Sequence, residues 1–496
     1  MICLHCGNAA GSKAFQSYLD GHPEIYMVPA YPLTYLYPHW LQWQEELGPD
    51  RTWAQIIERF CVQHASVIDS NQIPGHNGMR NLGDSQEESV AIDEAMFRGF
   101  LGHLLDGEAV SSRTFTLAVH YAFAYCRGED LAAKTALVYH IHVPFFARDY
   151  LYPDFPDMLN IGLVRDQRSN IRGRYVHSAV NVENARLNQT DAVFYRRRTY
   201  FQVCRLLYEG AEVVRDMPPE NVRVIRMEDL VYRRDDIMHA VAEFIGVAYH
   251  PVLRESTFGG LAYWGDPIYE MEPMNTFNPR VVSDKWKQTL APMDWFVLEG
   301  LFHNYFRAYG YEPLKYTKDS AFNRLRLIGA ILLPTKVERS EMKTYLNPAY
   351  FWRFLRAAVD EALGRVELKD YSFNAHYRHR WTSKDLCLWR PRWHMRVLCA
   401  TRAAAAAAPG SIVAAGLEKL GQATYVVANI GRYVYATIAH YYWIARRIGL
   451  CLGVFGRMAG HRDTISITLP EGPLPTRERE APEALAQAGQ SAERSA

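Results

Sequence analysis

Close to its start the chain reads Gly7-Asn-Ala-Ala-Gly11-Ser12-Lys13-Ala14, directly after the apolar residues 1–6. Glycines let a backbone approach an oxyanion closely, and amides at a helix N-terminus donate to it. Ser12 adds a hydroxyl donor, and Lys13 a cation on a flexible stem. The chemistry open to this set is the holding of a phosphate or sulfate group. It is not a Walker A box, because only three residues separate the two glycines where four should. A Gly-rich turn between a strand and a helix serves purely structural ends just as well, so the loop by itself leaves both readings open.

Two more groups of chemistry-bearing residues follow strand-like runs. The run Ala136–His140 leads into His140-Ile141-His142, whose imidazoles at i and i+2 on a strand face one side and can exchange protons near neutral pH. The plain alternative is a pair of satisfied core histidines. No third ligand at readable spacing supports a metal. Arg165 stands directly after the run Met158–Val164, at the carboxyl end of a strand, where α/β proteins form their sites. A guanidinium suits a phosphate there. Arg168 and Arg172 read as basic residues on a solvated helix face.

Positioning these residues takes strands that alternate with helices. Strands are expected at 1–6, 136–140, 158–164 and 222–226. Helices are expected at about 12–21, 53–66, 94–105, from 165 through Tyr175, about 190–215, 235–246 with Gly246 as its stop, and 289–309 with Gly310 as its stop. The tract 265–281 reads as a loop. This order predicts an α/β fold, a P-loop-like three-layer α/β/α arrangement around a mostly parallel sheet. After residue 313 the character changes to helical, basic segments rich in Trp and Arg.

The first helix closes on Leu19-Asp20-Gly21-His22-Pro23-Glu24-Ile25, and here the chain resembles the sulfotransferase family. Members of that family bind 3′-phosphoadenylyl sulfate with a strand–loop–helix of form R/K-S-G-T/S-T, often ending in His-Pro. Aligned on Gly11 and His22-Pro23, Ala9 and Ala10 replace the usual basic residue and serine, while Lys13 takes a small-hydroxyl position and can return the lost charge. Leu163-Val-Arg165-Asp166-Gln167-Arg168 resembles the family's VRDPR. Its Arg and a Ser eight positions on hold the 3′-phosphate; here Arg165 matches and Gly173 stands for the Ser, with Ser169, Arg172 or Arg174 as substitutes. His142 matches the base of a K-T-H-x-P segment, and His140 replaces its Lys. Arg226-Met-Glu228-Asp229-Leu230 and Phe244-Ile-Gly246 look like a structural unit of the family. Arg280-Val-Val-Ser283-Asp284-Lys285-Trp286-Lys287, with Leu290 and Tyr309-Gly310-Tyr311, is similar to the loop that covers the 3′-phosphate, without its glycines.

The resemblance spans about residues 1–313. It implies 3′-phosphoadenylyl sulfate as co-substrate and no metal, with the cofactor held by Ala10, Gly11, Ser12, Lys13, Ala14, Arg165, Arg280 and Lys285. Lys13 and His142 would be catalytic, Lys13 by neutralising the leaving phosphate oxygen and His142 by deprotonating the acceptor. The expected reaction is sulfuryl transfer to a hydroxyl of a carbohydrate or lipid-linked acceptor. Two rivals are a P-loop kinase, which lacks its Walker A, and a catalytically degenerate, membrane-peripheral scaffold or binding module, which Ala9 and Gly173 would suit.

Charge divides the chain in the same place. Residues 1–313 hold 28 basic and 39 acidic residues, net −11, and residues 314–496 hold 27 and 15, net +12. With 49% hydrophobic and 13% aromatic residues the chain can bury a large core, which excludes wholesale disorder. The acidic first part argues against nucleic acid as a partner. Eight scattered cysteines imply no disulfide framework, and Cys3-x-x-Cys6 has no second pair to make a zinc site. With no signal pattern at the start, the expected place is the cytoplasm. No segment reaches the length of uncharged apolar residues that a spanning helix needs.

Residues 314–469 are expected to form a basic, mostly helical extension, and 470–496 a disordered tail. On a helix, Arg432, Arg446, Arg447 and Arg457 fall within an arc of roughly 100° beside Tyr435, Ile438, Tyr442, Trp443 and Val454. That is the make-up of a helix lying on an anionic membrane surface, here the inner face, and equally of one packed on the first domain with Arg at its solvated edge. Gly449, Gly453 and Gly456 count against a single long helix.

Overall fold

The computed structural model describes residues 1–6, 10–73, 78–141, 147–173, 219–267, 284–333, 346–366 and 393–458, with isolated positions between 274 and 343. His142, Arg174, Arg280, the helix expected at 190–215 and the tail 470–496 lie outside the described residues.

Five short apolar runs make the sheet: β1 Ile2–Cys6, β2 Ile25–Met27, β3 Ala136–Ile141, β4 Leu159–Val164 and β5 Val222–Arg226. Their order is β2-β3-β1-β4-β5 and every pairing is parallel. Parallel strands covered on both faces read as near-continuous apolar runs, which is why all but β2 were legible. Register sets what stands beside what: His5 pairs with Ile141 of β3 and Gly162 of β4, and Cys6 pairs with Leu163. Alternate residues serve opposite layers. Tyr139 faces Tyr37 of helix α2 (Leu36–Leu47) and His120 of a helix at Ser112–Cys126, while His140 faces the helix α1, Ser12–Ser17.

Two expectations about helices need correcting. The run 289–309 is three helices, Trp286–Thr289, Pro292–Leu301 and His303–Ala308. Pro292 starts the second because proline suits a first turn and cannot continue a preceding one. Conversely, Ile412–Met458 is one continuous helix of 47 residues despite its glycines. Glycine lowers helix stability by ~1 kcal/mol without breaking the hydrogen-bond ladder as proline does.

The apolar core of the sheet part runs past residue 313, through Tyr316 to Leu327, Ala330 and Ile331 of a helix at Ala321–Leu332. Further on, helices Pro348–Ala362, Trp393–Ala407 and Ile412–Met458 pack on one another around two small clusters, Tyr350–Phe354–Tyr433 and Ala362–Leu398–Tyr425. Among the described residues, no helix is long and apolar enough to cross a membrane.

Candidate anion-binding site

The loop after β1 enters α1 through Gly11, whose φ of 94° belongs to the left-handed region that glycine tolerates. A Cβ there would also lie 2.5 Å from Met227 Sδ, just beyond the end of β5. So Gly11 is required by backbone and by packing together, and the room left by its missing side chain is filled by Met227. Gly11 supplies no side-chain cap to the first turn of α1. Uncapped first-turn amides are suited to an oxyanion. Ala10, Ser12, Lys13 and Ala14 are all buried.

Lys13 holds a partner that sequence reasoning missed. Its ammonium forms an ion pair with Asp266, whose Oδ1 also accepts the Gly78 amide at 2.9 Å. Burial alone would depress the Lys13 pKa, but the Asp266 carboxylate and the Tyr263 hydroxyl outweigh it and hold the ammonium charged. A two-stranded hairpin, Thr257–Phe258 with Leu261–Ala262, delivers these groups along α1. Ser256 Oγ lies 2.6 Å from Ser17 Oγ, and Asp20 accepts from Thr257 and Gly260. Lys13 and Asp266 are 253 residues apart, so no local signal could have found the pair.

Arg165 follows β4 at the neighbouring strand end, and its turn is pinned by groups from three other segments. Tyr305 accepts the Arg165 amide at 3.2 Å and donates to its carbonyl at 3.0 Å. Glu228, directly after Met227, accepts the Asp166 amide at 3.0 Å and the Tyr311 hydroxyl at 2.8 Å. Burial pushes the Glu228 carboxyl up, against those two bonds that favour its charged form. The Arg-Met-Glu-Asp-Leu segment thus has a structural task here, the orientation of the Arg165 turn.

Arg168 overturns the expectation of a solvated helix face. It is 5% exposed, forks onto Asp166 at 2.7–3.2 Å, and donates to Glu299 at 2.7 Å and to the Glu312 carbonyl at 3.1 Å. The Trp286 ring lies 4.5 Å from its guanidinium carbon. Two carboxylates reach it, one of them 131 residues away, and they make burial of the cation tolerable. Lys285, half-buried, immediately precedes Trp286 in the chain. In the same helix Ser169 is buried, Arg172 half-buried and Gly173 buried.

The described histidine of the pair, His140, is a core residue. Its Nδ1 donates to Gln16 Oε1 at 2.7 Å and to the Ala30 carbonyl at 3.1 Å, and burial lowers its pKa to about 3. His142, one residue past the end of β3, lies outside the described residues. His22 of the His-Pro pair is a latch: its Nδ1 accepts the Glu24 amide at 3.1 Å and its Nε2 donates to the Ala248 carbonyl at 2.9 Å.

The carboxyl ends of β1, β4 and β5 therefore bring together Gly11, Arg165 and Met227. Among the described residues no group of three or more His, Cys, Asp or Glu is arranged to hold a metal ion. No family model and no curated protein matches the chain. Among solved structures it is similar to the sulfotransferase domain of the olefin synthase of Synechococcus PCC 7002, with 15% identity, a TM-score of 0.32, and coverage of 59% of this chain and 88% of that one. It is similar also to the sulfotransferase domain of the curacin biosynthetic pathway, with 17% identity, a TM-score of 0.34, and coverage of 59% and 92%.

Proposed function

We propose that the chain is a sulfotransferase that uses 3′-phosphoadenylyl sulfate. The observation that carries this reading is the placement of an uncapped, Gly-entered first turn and an arginine turn on the ends of two adjacent parallel strands, β1 and β4. Such neighbouring strand ends are where α/β sheets hold ligands, and two separate anion-holding elements suit a cofactor with phosphate at both ends. Residues 10–14 would take the phosphosulfate, and Arg165 with Arg280 and Lys285 the 3′-phosphate. His142 would remove the acceptor proton as the hydroxyl oxygen attacks sulfur; the bond from sulfur to the phosphate oxygen breaks and 3′-phosphoadenosine 5′-phosphate leaves. Lys13 can neutralise that leaving oxygen only on releasing Asp266. The acceptor is a hydroxyl of a carbohydrate or a lipid-linked glycan.

Calorimetry of the full chain with 3′-phosphoadenosine 5′-phosphate tests the reading. Binding is expected, and Arg165→Ala should weaken it at least ~10-fold, the worth of one charge-assisted phosphate contact. Failure to bind at millimolar ligand would sink the proposal. Where binding holds, His142→Ala should abolish transfer; full activity would remove its assigned role. A second reading, a catalytically silent binding module of this fold, is favoured by the Lys13–Asp266 pair, which occupies the loop's cation from within. It requires ligand binding without turnover across an acceptor screen.

A further inference from the structure

The cation of the anion loop already has an anionic oxygen, supplied by the chain itself. Asp266 Oδ1 accepts from the Lys13 ammonium and, at 2.9 Å, from the Gly78 amide. The carboxylate thus sits where an oxyanion on Lys13 would. A close crossing of two backbones brings the Gly78 amide to it: a Cβ on Gly78 would lie 1.9 Å from the Gly265 carbonyl oxygen. The side chains of Lys13 and Asp266 are 8% and 19% exposed, so water screens their charges little.

The anchoring of the segment that carries Asp266 stops two residues before it. Ser17 Oγ and Ser256 Oγ are 2.6 Å apart, and Asp20 accepts from Thr257 Oγ1 and the Gly260 amide at 2.8 and 2.9 Å. The Gly83 amide donates to the Ala262 carbonyl at 3.0 Å, and Trp264 Nε1 to the Gly83 carbonyl at 2.7 Å. Next comes Gly265, whose φ of 86° only glycine adopts readily. Beyond it, the bonds on Asp266 are those of Lys13 and Gly78. A fixed root followed by a glycine pivot gives the carboxylate two arrangements, on Lys13 or away from it.

We propose that Asp266 is an internal competitor for the anion loop, so that anion binding and release of Asp266 from Lys13 form one equilibrium. This rests on the reading of residues 10–14 as the phosphosulfate loop. An anion that enters beside the intact pair meets a poorly screened carboxylate, and one that takes Lys13 for itself must expel it. By linkage, whatever the carboxylate subtracts from anion affinity, a bound anion subtracts from the hold on Asp266. The pairing keeps a buried ammonium neutralised until a stronger anionic group replaces the carboxylate. Gly78 lies on a segment outside the loop, so its amide loses its acceptor when Asp266 swings away.

Calorimetry of the full chain and of Asp266→Asn, with 3′-phosphoadenosine 5′-phosphate and with inorganic pyrophosphate as probes, tests the proposal. Asparagine keeps an oxygen for the Gly78 amide and removes the charge. Both probes should bind the variant about 5- to 150-fold more tightly than the wild type, the usual span of a coupling between two sites. Without its counter-charge Lys13 is a lone buried cation, so the variant alone should unfold at a lower temperature and gain more from pyrophosphate than the wild type does. A second readout needs no variant: in the wild type, hydrogen exchange at Gly78 should rise on saturation with pyrophosphate, where a merely structural pair would leave it unchanged. Equal or weaker binding by Asp266→Asn, or Gly78 exchange that does not rise, overturns the proposal. If 3′-phosphoadenosine 5′-phosphate binds the wild type with no gain in the variant, Asp266 loses this role and the cofactor reading stands. If pyrophosphate alone binds, and more tightly to the variant, the cofactor reading falls and the competitor stands. Binding of neither probe to either protein ends both.

Discussion

The sheet edge and the C-terminal helices treat buried cations in different ways. At the edge each is met by carboxylates: Lys13 by the distant Asp266, Arg168 by its near neighbour Asp166 and by the distant Glu299. In the helical part the contacts of the buried Arg432 include Asn429 Oδ1 at 2.7 Å and His394 Nε2 at 3.4 Å. Its burial also removes it from the basic stripe expected on that helix. The acidic surplus of residues 1–313 thus has a visible use, since some of those carboxylates neutralise cations inside the fold. Net charge of a region says little about where its cations point; what matters is whether a carboxylate can be brought to them.

The sharpest way to break this comparison is the same substitution in both regions. Arg168→Met takes the cation from the fully buried Glu299, which still accepts the Lys315 and Tyr316 amides, and should cost about 3–5 kcal/mol in urea unfolding, the usual result of removing one partner of a buried pair. Arg432→Met removes the bonds to Asn429 and His394, and should cost about 1–2 kcal/mol. Equal losses would end the distinction.

Acid should separate the regions next. Burial lowers the pKa of His5 and His120 to about 4 and of His64 and His140 to about 3, and all four lie in the sheet part. The fold holds each neutral while the unfolded chain protonates it below about pH 6.5. Stability is therefore present above that pH and is lost as pH falls towards 4, by up to ~1.4 kcal/mol per pH unit for each group. Glu228, Asp229 and Asp294, pushed up by burial, act in the opposite sense and offset part of the loss. A net uptake of protons on unfolding in this window, with hydrogen exchange rising first in residues 1–313, is the expected outcome. Earlier exchange in the C-terminal helices would contradict it.

Smaller effects sharpen the picture. Gly11→Ala should cost about 1–3 kcal/mol, from the left-handed backbone and the Met227 contact together. In a Met227→Ala background only the backbone share, ~1 kcal/mol, should remain. Smallest of all, Leu420→Ala should change the unfolding of the isolated chain by less than ~0.5 kcal/mol, since that side chain is mostly exposed.

What could be read beforehand follows from range. Four of the five strands were legible because their runs are mostly apolar; β2 was not, since three residues carry no period. The glycine entry to α1 and the position of Arg165 were local, and so were visible. The partners of Lys13 and Arg168 were invisible because they arrive from 253 and 131 residues away. Reading Arg168 as solvated failed for that reason: the rule for an isolated charge does not see a distant carboxylate. The 289–309 helix failed on Pro292, a local signal outweighed by apolar periodicity.

The hairpin that runs along α1 has a bearing on the order in which the protein is made. The residues that hold Lys13 and Ser17, Ser256 through Asp266, leave the ribosome some 240–250 positions after them. At about 5–20 residues per second the anion loop must wait tens of seconds for its clamp. During that time Lys13 has no counter-charge from Asp266, and α1, six residues long, has little of its own to keep it helical. The earlier element is completed by a later one, and a nascent chain that ends before Asp266 should lack the Lys13 ion pair.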